Sequence, residues 1–197
     1  MANRSTPTSP SRPTTESSPR QADPERTTTT LRIRLTRRPD GAVVFELRRP
    51  DGTTTWQKRT GPTAEFFAIH DLTHYAVESA LGFRHGFYGL VADGWDLGDF
   101  GTPWPRGPLP EEAAVVEVIV GCFDAQRAAH EPLTAAQCTS SIRSYFSAHP
   151  AATVRAVTDE DLARVRQLLG DQLWRWHATP GGGTHELSFA RPGEAMR

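Results

Sequence analysis

Two histidines four residues apart, His70 and His74, are the side chains of this sequence best suited to chemistry. In an α-helix this spacing places both imidazoles on one face, about 6 Å apart along the axis. Helices with the pattern H-E-x-x-H hold zinc by this spacing, and their glutamate acts as a general base. Here the acid is Asp71, which is one methylene shorter. The pattern predicts a divalent-metal site, zinc by default, with Asp71 as general base or as a residue that orients a ligand.

A third ligand must come from another element, because Glu78 lies about 12 Å from His70 along the helix axis. The sequence predicts a second long helix from Glu111 onward, with a nearly continuous apolar interior. Glu117 lies inside that interior, where a carboxylate requires a cation, a metal or a histidine. We therefore rank Glu117 first as the third ligand. Glu112 ranks second. The remaining candidates are Glu111 and His85.

Simpler interpretations of the same residues remain open. His70 and His74 can be core residues that hydrogen-bond to Asp71, Glu78 or a tyrosine, and Glu117 can point out to solvent. The chain would then be a non-catalytic binding or adaptor module. In the metal-site interpretation, Glu78 is expected to hydrogen-bond to His74, one helical turn away, and so to orient it.

The run from Phe67 to Asp96 resembles a family of uncharacterised bacterial proteins. The pattern that carries the resemblance is an HDLxHYxVE helix, then Gly-Phe-Tyr-Gly-Leu, then Gly-Trp-Asp. The resemblance implies that this stretch is one structural unit, and it implies no activity. A narrower similarity to zincin metallopeptidases rests on His70, His74 and the acid between them, and it implies a metal-dependent hydrolase.

The histidine pair needs a helix to position it, and the sequence predicts that helix over 62–82. Pro62 suits the first helical position, and Gly82 suits the residue that ends a helix. At about 100° per residue, both histidines fall within the apolar arc, while Asp71 and Glu78 lie at its edge. The histidines are therefore expected to face the core.

The other predicted elements form a scaffold of class α+β. Alternating apolar and polar residues over 29–60, interrupted by two Pro-Asp-Gly turns, predict a small antiparallel β-meander. A strand over 184–190 can join it, which gives three or four strands. A glycine- and proline-rich stretch over 83–110 predicts a lid-like loop. The pocket residues expected beneath or within this loop are His85, Tyr88 and Trp95.

Helices are predicted over 111–177, so the meander packs beside a bundle of about four helices in a single domain, 29–190. A tail of serine, threonine, proline and arginine over 1–28 is expected to be disordered, because it has almost nothing apolar to bury. Residues 191–197 are expected to fray. Thr158 with Asp161 predicts a capping box at the start of the last helix.

Composition limits the classes of partner. The net charge of −1 argues against a nucleic-acid-binding chain, and the sequence has neither a long apolar run nor a hydrophobic leader. We expect a cytoplasmic protein with no membrane partner. Cys122 and Cys138 are then free thiols, with a disulfide as the minor alternative. The substrate, a small molecule or a peptide, and the oligomeric state stay open.

The meander carries more positive than negative charge. It holds eight arginine or lysine residues against three acids, and Trp56 lies in its third strand. An anionic partner such as nucleic acid, with Trp56 stacked on a base, is one interpretation. We favour the other, a solvated arginine face that balances an acidic helical half.

Overall fold

The computed structural model describes residues 30–101, 105–148 and 156–191. The predicted tail over 1–28 lies outside these residues, as do 192–197 of the predicted C-terminal tail. The strands are β1 (Leu31–Arg37), β2 (Val43–Arg48), β3 (Thr54–Arg59) and β4 (Thr184–Phe189). They form one antiparallel sheet in the order β3-β2-β1-β4, and helices cover one of its faces, which confirms the α+β class. The helices are α1 (Ala64–Leu81), α2 (Phe87–Ala92), α3 (Glu111–Ala129), α4 (Ala135–Tyr145) and α5 (Asp159–Ala178).

The sheet follows from the period-two pattern of the meander. Leu31, Ile33 and Leu35 of β1 are at most 1% exposed, while the arginines between them face solvent. Gly41 and Gly52 lie in the two predicted turns with φ of +79° and +87°, a conformation that glycine adopts without strain. The last strand pairs with β1, so the chain closes its sheet with residues more than 140 positions away.

Helix α1 is the central helix of the fold. A 3-10 turn over Gly61–Thr63 precedes it, and Gly82 ends it in the left-handed region with φ of +72°. It packs against α3, α5, α2 and the sheet, so most of its circumference is covered. Asp71 and Glu78, expected at the edge of the apolar arc, are therefore buried. Phe66, expected within that arc, is 45% exposed, because it lies in the first turn.

The segment predicted as a lid-like loop contains α2 and a 3-10 turn over Leu97–Phe100. Arg49, the residue that follows β2, anchors this segment to the sheet. The Arg49 guanidinium donates to the backbone oxygens of Val91 and Trp95, at 2.8 and 2.5 Å, and to Asp96 Oδ1 at 2.7 Å. Arg49 is only 8% exposed, so this arginine anchors the segment and does not belong to the solvated face. Residues 102–104 of the segment are not described.

Side chains cap the N-termini of the last two helices, α4 and α5. Thr134 and Gln137 cap α4 reciprocally, and Thr158 and Asp161 form the predicted capping box of α5. Each box satisfies two backbone N–H groups that have no partner inside the helix. Within the part of the chain that the structure describes, no helix has the length and apolar character that crossing a membrane requires.

Candidate metal centre

Three side chains from two helices converge beside the sheet. His70 and His74 of α1 and Glu117 of α3 each offer one ligand atom, and these atoms lie within 4.8 Å of one another. His74 Nε2 is 3.5 Å from Glu117 Oε1, and the two imidazole centroids are 4.8 Å apart. Ligands bound at 2.0–2.2 Å to one tetrahedral ion lie about 3.3 Å apart. The group can therefore hold a metal ion with small side-chain adjustments.

The three ligand residues differ in their exposure to solvent. The side chain of His74 is 2% exposed and that of Glu117 is 43% exposed, with His70 between them at 25%. The apolar interior of α3 packs inward, but Glu117 leaves it and turns one carboxylate oxygen toward His74. The group is thus exposed to solvent on the Glu117 side, whereas a purely structural histidine pair would lie in a sealed core.

His74 is a neutral imidazole at physiological pH. Burial lowers its pKa to about 4, since the charged form cannot be solvated there. The expected hydrogen bond between Glu78 and His74 is not formed: Nδ1 of His74 is buried without a hydrogen-bond partner in the described part of the chain, and it lies 3.5 Å from Glu78 Oε1. A metal bound at Nε2 would require the tautomer that has its proton on Nδ1, facing Glu78, and the lone pair of Nε2 directed toward Glu117.

Glu78 joins this histidine to α2. Its fully buried carboxylate accepts the backbone N–H groups of Tyr88 at 3.0 Å and Gly89 at 3.4 Å, both in the first turn of α2. Burial raises its pKa to about 8 even with these bonds. Gly86 is required here, because a Cβ at that position would lie 2.5 Å from Glu78 Cδ. Glu78 thus supplies the cap that α2 lacks within its own residues.

His70 has a carboxylate partner that the sequence analysis missed. Its Nδ1 is 2.7 Å from Asp124 Oδ2, and Arg127 holds the other oxygen of Asp124 at 2.7 Å. Burial alone would lower the pKa of His70, but the hydrogen bond and charge of Asp124 raise it above its ordinary value. A bond from Nδ1–H to Asp124 leaves Nε2 of His70 for a metal. Asp124 follows Glu117 by two helical turns, so helical spacing could have identified it.

Asp71 lies beside the group, on the side of α1 that faces the protein interior. It is 7% exposed, and burial raises the pKa of its carboxyl to about 7, against the opposing charges of His70 and Arg59. We find no hydrogen bond to this carboxylate from the residues described. The backbone oxygen of Asp71 accepts a hydrogen bond from the Tyr88 hydroxyl at 2.9 Å. Tyr88 is therefore a core residue that packs against α1.

The other predicted site residues lie apart from the three ligands. Glu112 accepts the backbone N–H groups of Arg84 and His85, and so closes the turn before α2. The imidazole of His85 is 3.7 Å from Asp93. Trp95 packs on Phe100 with centroids 5.3 Å apart.

Two aromatic rings that the sequence analysis did not select flank the histidines. Phe66 stacks on His70 with a centroid distance of 6.0 Å, and Phe87 packs on His74 at 5.2 Å. These rings limit rotation of the two imidazoles, which helps to keep the ligand atoms close together. The signal for Phe66 was its position one turn before His70 in the same helix.

Replacing Asp124 by asparagine is expected to weaken zinc binding by about 10- to 100-fold, the usual cost of losing an outer carboxylate partner. The amide keeps the shape but removes the charge that fixes the His70 tautomer. Competition with a chromogenic chelator measures the affinity. Asp171→Asn, at an exposed position of α5, is the matched control. Equal affinities of the Asp124→Asn and Asp171→Asn variants would show that Asp124 does not support a bound metal.

Comparison with known proteins adds no relatives. No family model matches the chain, and neither the curated proteins nor the solved structures give a significant match.

Proposed function

We propose that this chain binds a divalent metal, zinc by default, through His70, His74 and Glu117, and uses it for hydrolysis. The observation that carries the proposal is the convergence of three ligand atoms from two helices within 4.8 Å. Two imidazoles and a carboxylate are the ligand types that zinc prefers, and the same set also suits iron or manganese. The neutral state of His74 and the orientation of His70 by Asp124 support it.

The number of protein ligands favours a reactive site over a structural one. Structural zinc sites use four protein ligands, whereas catalytic sites use three and keep one position open for water or substrate. A metal bound there would supply a Lewis acid and lower the pKa of its water ligand. The exposure of Glu117 leaves one side of the group open to solvent, as a small-molecule or peptide substrate would require.

In this proposal Asp71 acts as the general base. A pKa of about 7 matches the value at which a base works best near neutral pH. The carboxylate senses the charges of His70 and Glu117, so it lies within electrostatic range of the ligands. The alternative role, in which Asp71 orients a ligand, predicts that its loss weakens metal binding. The two roles are separated by measuring hydrolysis and affinity in the same variant.

The competing function is a non-catalytic binding module in which the histidines stabilise the core. The His70–Asp124 bond is complete without a metal and favours this alternative. The exposure of the Glu117 side chain beside His74 argues against it, because a purely structural histidine pair is expected in a sealed core.

The test of the metal site is elemental analysis and zinc titration of the untagged full chain. We expect about one metal ion per chain, held by three protein ligands. Glu117→Gln removes one ligand at a partly exposed position and should weaken zinc binding without unfolding the chain. Glu111→Gln, in the exposed first turn of the same helix, is the matched control. Absence of metal after supplementation, or equal affinity of the two variants, would overturn the proposal.

The test of hydrolysis uses the zinc-loaded chain with fluorescein-labelled casein and a nitrophenyl ester as probes. Asp71→Asn should abolish metal-dependent turnover while zinc binding stays within a few-fold of wild type. If the variant binds zinc normally and turnover is unchanged, Asp71 is not the base. If the loaded wild type cleaves neither probe nor any member of a broader panel, the hydrolytic part of the proposal is wrong and the metal site remains.

A further inference from the structure

The outer face of the sheet, which no described helix covers, carries two arginines directly opposite each other. Arg32 of β1 and Arg48 of β2 are register partners, and both are exposed. Opposed like charges on neighbouring strands destabilise a sheet. Among the residues that the structure describes, neither guanidinium has an acidic partner. The opposed pair therefore has no stabilising partner among the described residues, which makes it a candidate for a function outside the fold.

The remaining cations of this face are neutralised, so the positive charge is concentrated at one place. Arg34 is paired with Glu46 at 3.4 Å and with Glu186 at 2.9 Å. Lys58 lies 3.7 Å from Asp40. The charge left over is that of Arg32 and Arg48, at the end of the sheet where β1 begins.

The same two arginines line a groove. It has a volume of about 420 Å³, and its lining also includes Thr30, Ser188 and Arg34 with its two partners Glu46 and Glu186. Ser188 is the register partner of Arg32 on β4, so Ser188, Arg32 and Arg48 form one row across three strands. Guanidinium and hydroxyl donors in one row are suited to phosphate or carboxylate oxygens.

An exposed aromatic ring lies beside this row. Trp56 of β3 is 63% exposed, and it is the register partner of Glu46. Arg48, two residues after Glu46 on the same face, is the diagonal neighbour of Trp56, and such neighbours lie about 7–8 Å apart, with their Cβ atoms somewhat closer. One nucleotide could therefore contact both side chains. A flat apolar ring can stack on a nucleobase, whereas the carboxylates of an acidic peptide cannot stack on it.

We propose that the outer face of the sheet binds single-stranded nucleic acid, with phosphates on Arg32 and Arg48 and a base stacked on Trp56. The sequence alone favours a solvated arginine face, because it does not show which arginines are paired. The register distinguishes them: Arg34 is neutralised from both sides, and Arg32 faces Arg48. Sheets that present an aromatic ring and basic side chains on an open face bind single strands in this way. This surface is independent of the metal centre.

The experiment measures binding of a fluorescein-labelled oligothymidylate of about 12 nucleotides to the full chain by fluorescence anisotropy, over a range of salt concentrations. Each phosphate neutralised on a single strand contributes about 0.7 to the slope of log affinity against log salt. Arg32→Gln/Arg48→Gln should reduce that slope by about 1.4. Trp56→Ala should weaken binding by at least about fivefold and leave the slope unchanged.

Matched controls are available on the helical side. Arg143→Gln/Arg175→Gln removes the same charge from exposed positions of α4 and α5, and Trp174→Ala removes a ring that is 74% exposed. Both should bind as wild type. Arg48→Gln should fold with unchanged or slightly higher stability, because it removes a like-charge contact; lower stability would mean that Arg48 has a structural role and would overturn the argument.

Three results would contradict the proposal. The first is no binding above background at low salt. The second is equal effects of the outer-face variants and their helical controls. The third is displacement of the oligonucleotide by an equal concentration of hexaglutamate, which would identify a general anion surface for acidic peptides.

Discussion

Replacing His70 and His74 together by alanine is expected to abolish the thermal stabilisation that zinc gives to the wild-type chain. A ligand present at about 100 times its dissociation constant stabilises a protein by about 2.7 kcal/mol. For a domain of this size, that corresponds to a rise in melting temperature of roughly 5–10 °C. The double variant keeps only Glu117 of the three ligands, and one exposed carboxylate does not hold zinc. Its melting temperature should not respond to zinc.

The comparison is made within each variant, with and without zinc, because His74 is buried and its truncation leaves a cavity that destabilises the chain by itself. His85→Ala/His177→Ala is the matched control, since it removes two exposed imidazoles outside the group. It should keep the full response to zinc. An equal response in the His70→Ala/His74→Ala variant would place the zinc elsewhere and refute the site.

Gly89→Ala is expected to destabilise the chain by roughly 3 kcal/mol or more, one of the largest effects of a single methyl group in this molecule. A Cβ at position 89 would lie 2.0 Å from the backbone oxygen of Arg84. Backbone cannot move aside as a flexible side chain can. The first turn of α2 must then shift away from Glu78, which loses the N–H groups that satisfy its buried carboxylate.

Gly170→Ala is the control for this substitution, because both glycines lie inside helices. A Cβ at position 170 meets nothing within 4 Å, so alanine should stabilise α5 by about 0.5–1 kcal/mol through its lower conformational entropy in the unfolded chain. Urea denaturation measures both free energies of unfolding. If the Gly89→Ala variant is as stable as wild type, α2 does not need the close approach to Arg84 that the structure shows.

Gly86 and Gly89 explain why the stretch that carries the histidines continues past α1 into α2. Glu78 closes α1 and caps α2, Gly86 makes room for its carboxylate, and Gly89 lets the chain turn beneath it. His74 lies one turn before Glu78, so the geometry of the candidate metal ligand depends on α2 as well as on its own helix. A change in the Gly-Phe-Tyr-Gly-Leu run should therefore reach the metal centre without touching a ligand.

Local pattern was sufficient for most of the fold. The alternation of β1 and β2, the Pro-Asp-Gly turns, the end of α1 at Gly82 and the capping box of α5 all depend on residues within one element. The start of α1 was predicted two residues early, at Pro62, which lies in the preceding 3-10 turn. The burial of the alternating apolar residues and the left-handed glycines reproduced what their spacing predicted. Joining β4 to the edge of the meander was also predicted, although its partner strand had to be found in space.

Features that depend on contacts between elements were beyond local pattern. Helical spacing showed that His70 and His74 share a face, but the position of α3 decides that Glu117 meets His74 and Asp124 meets His70. Arg49 looked like one of many arginines of a basic sheet, and only the path of the chain after α2 makes it a buried anchor.

The sequence by itself determined the helix, the histidine pair and the alternating strands, because periodicity is a property of a single element. The tertiary structure alone decided which carboxylates reach the imidazoles and which arginines keep an unpaired charge. Both outcomes depend on the packing of helices and the register of strands, which bring together residues such as Arg34 and Glu186 from opposite ends of the chain. Those distances are set by side-chain packing throughout the core, and no short stretch of sequence encodes them.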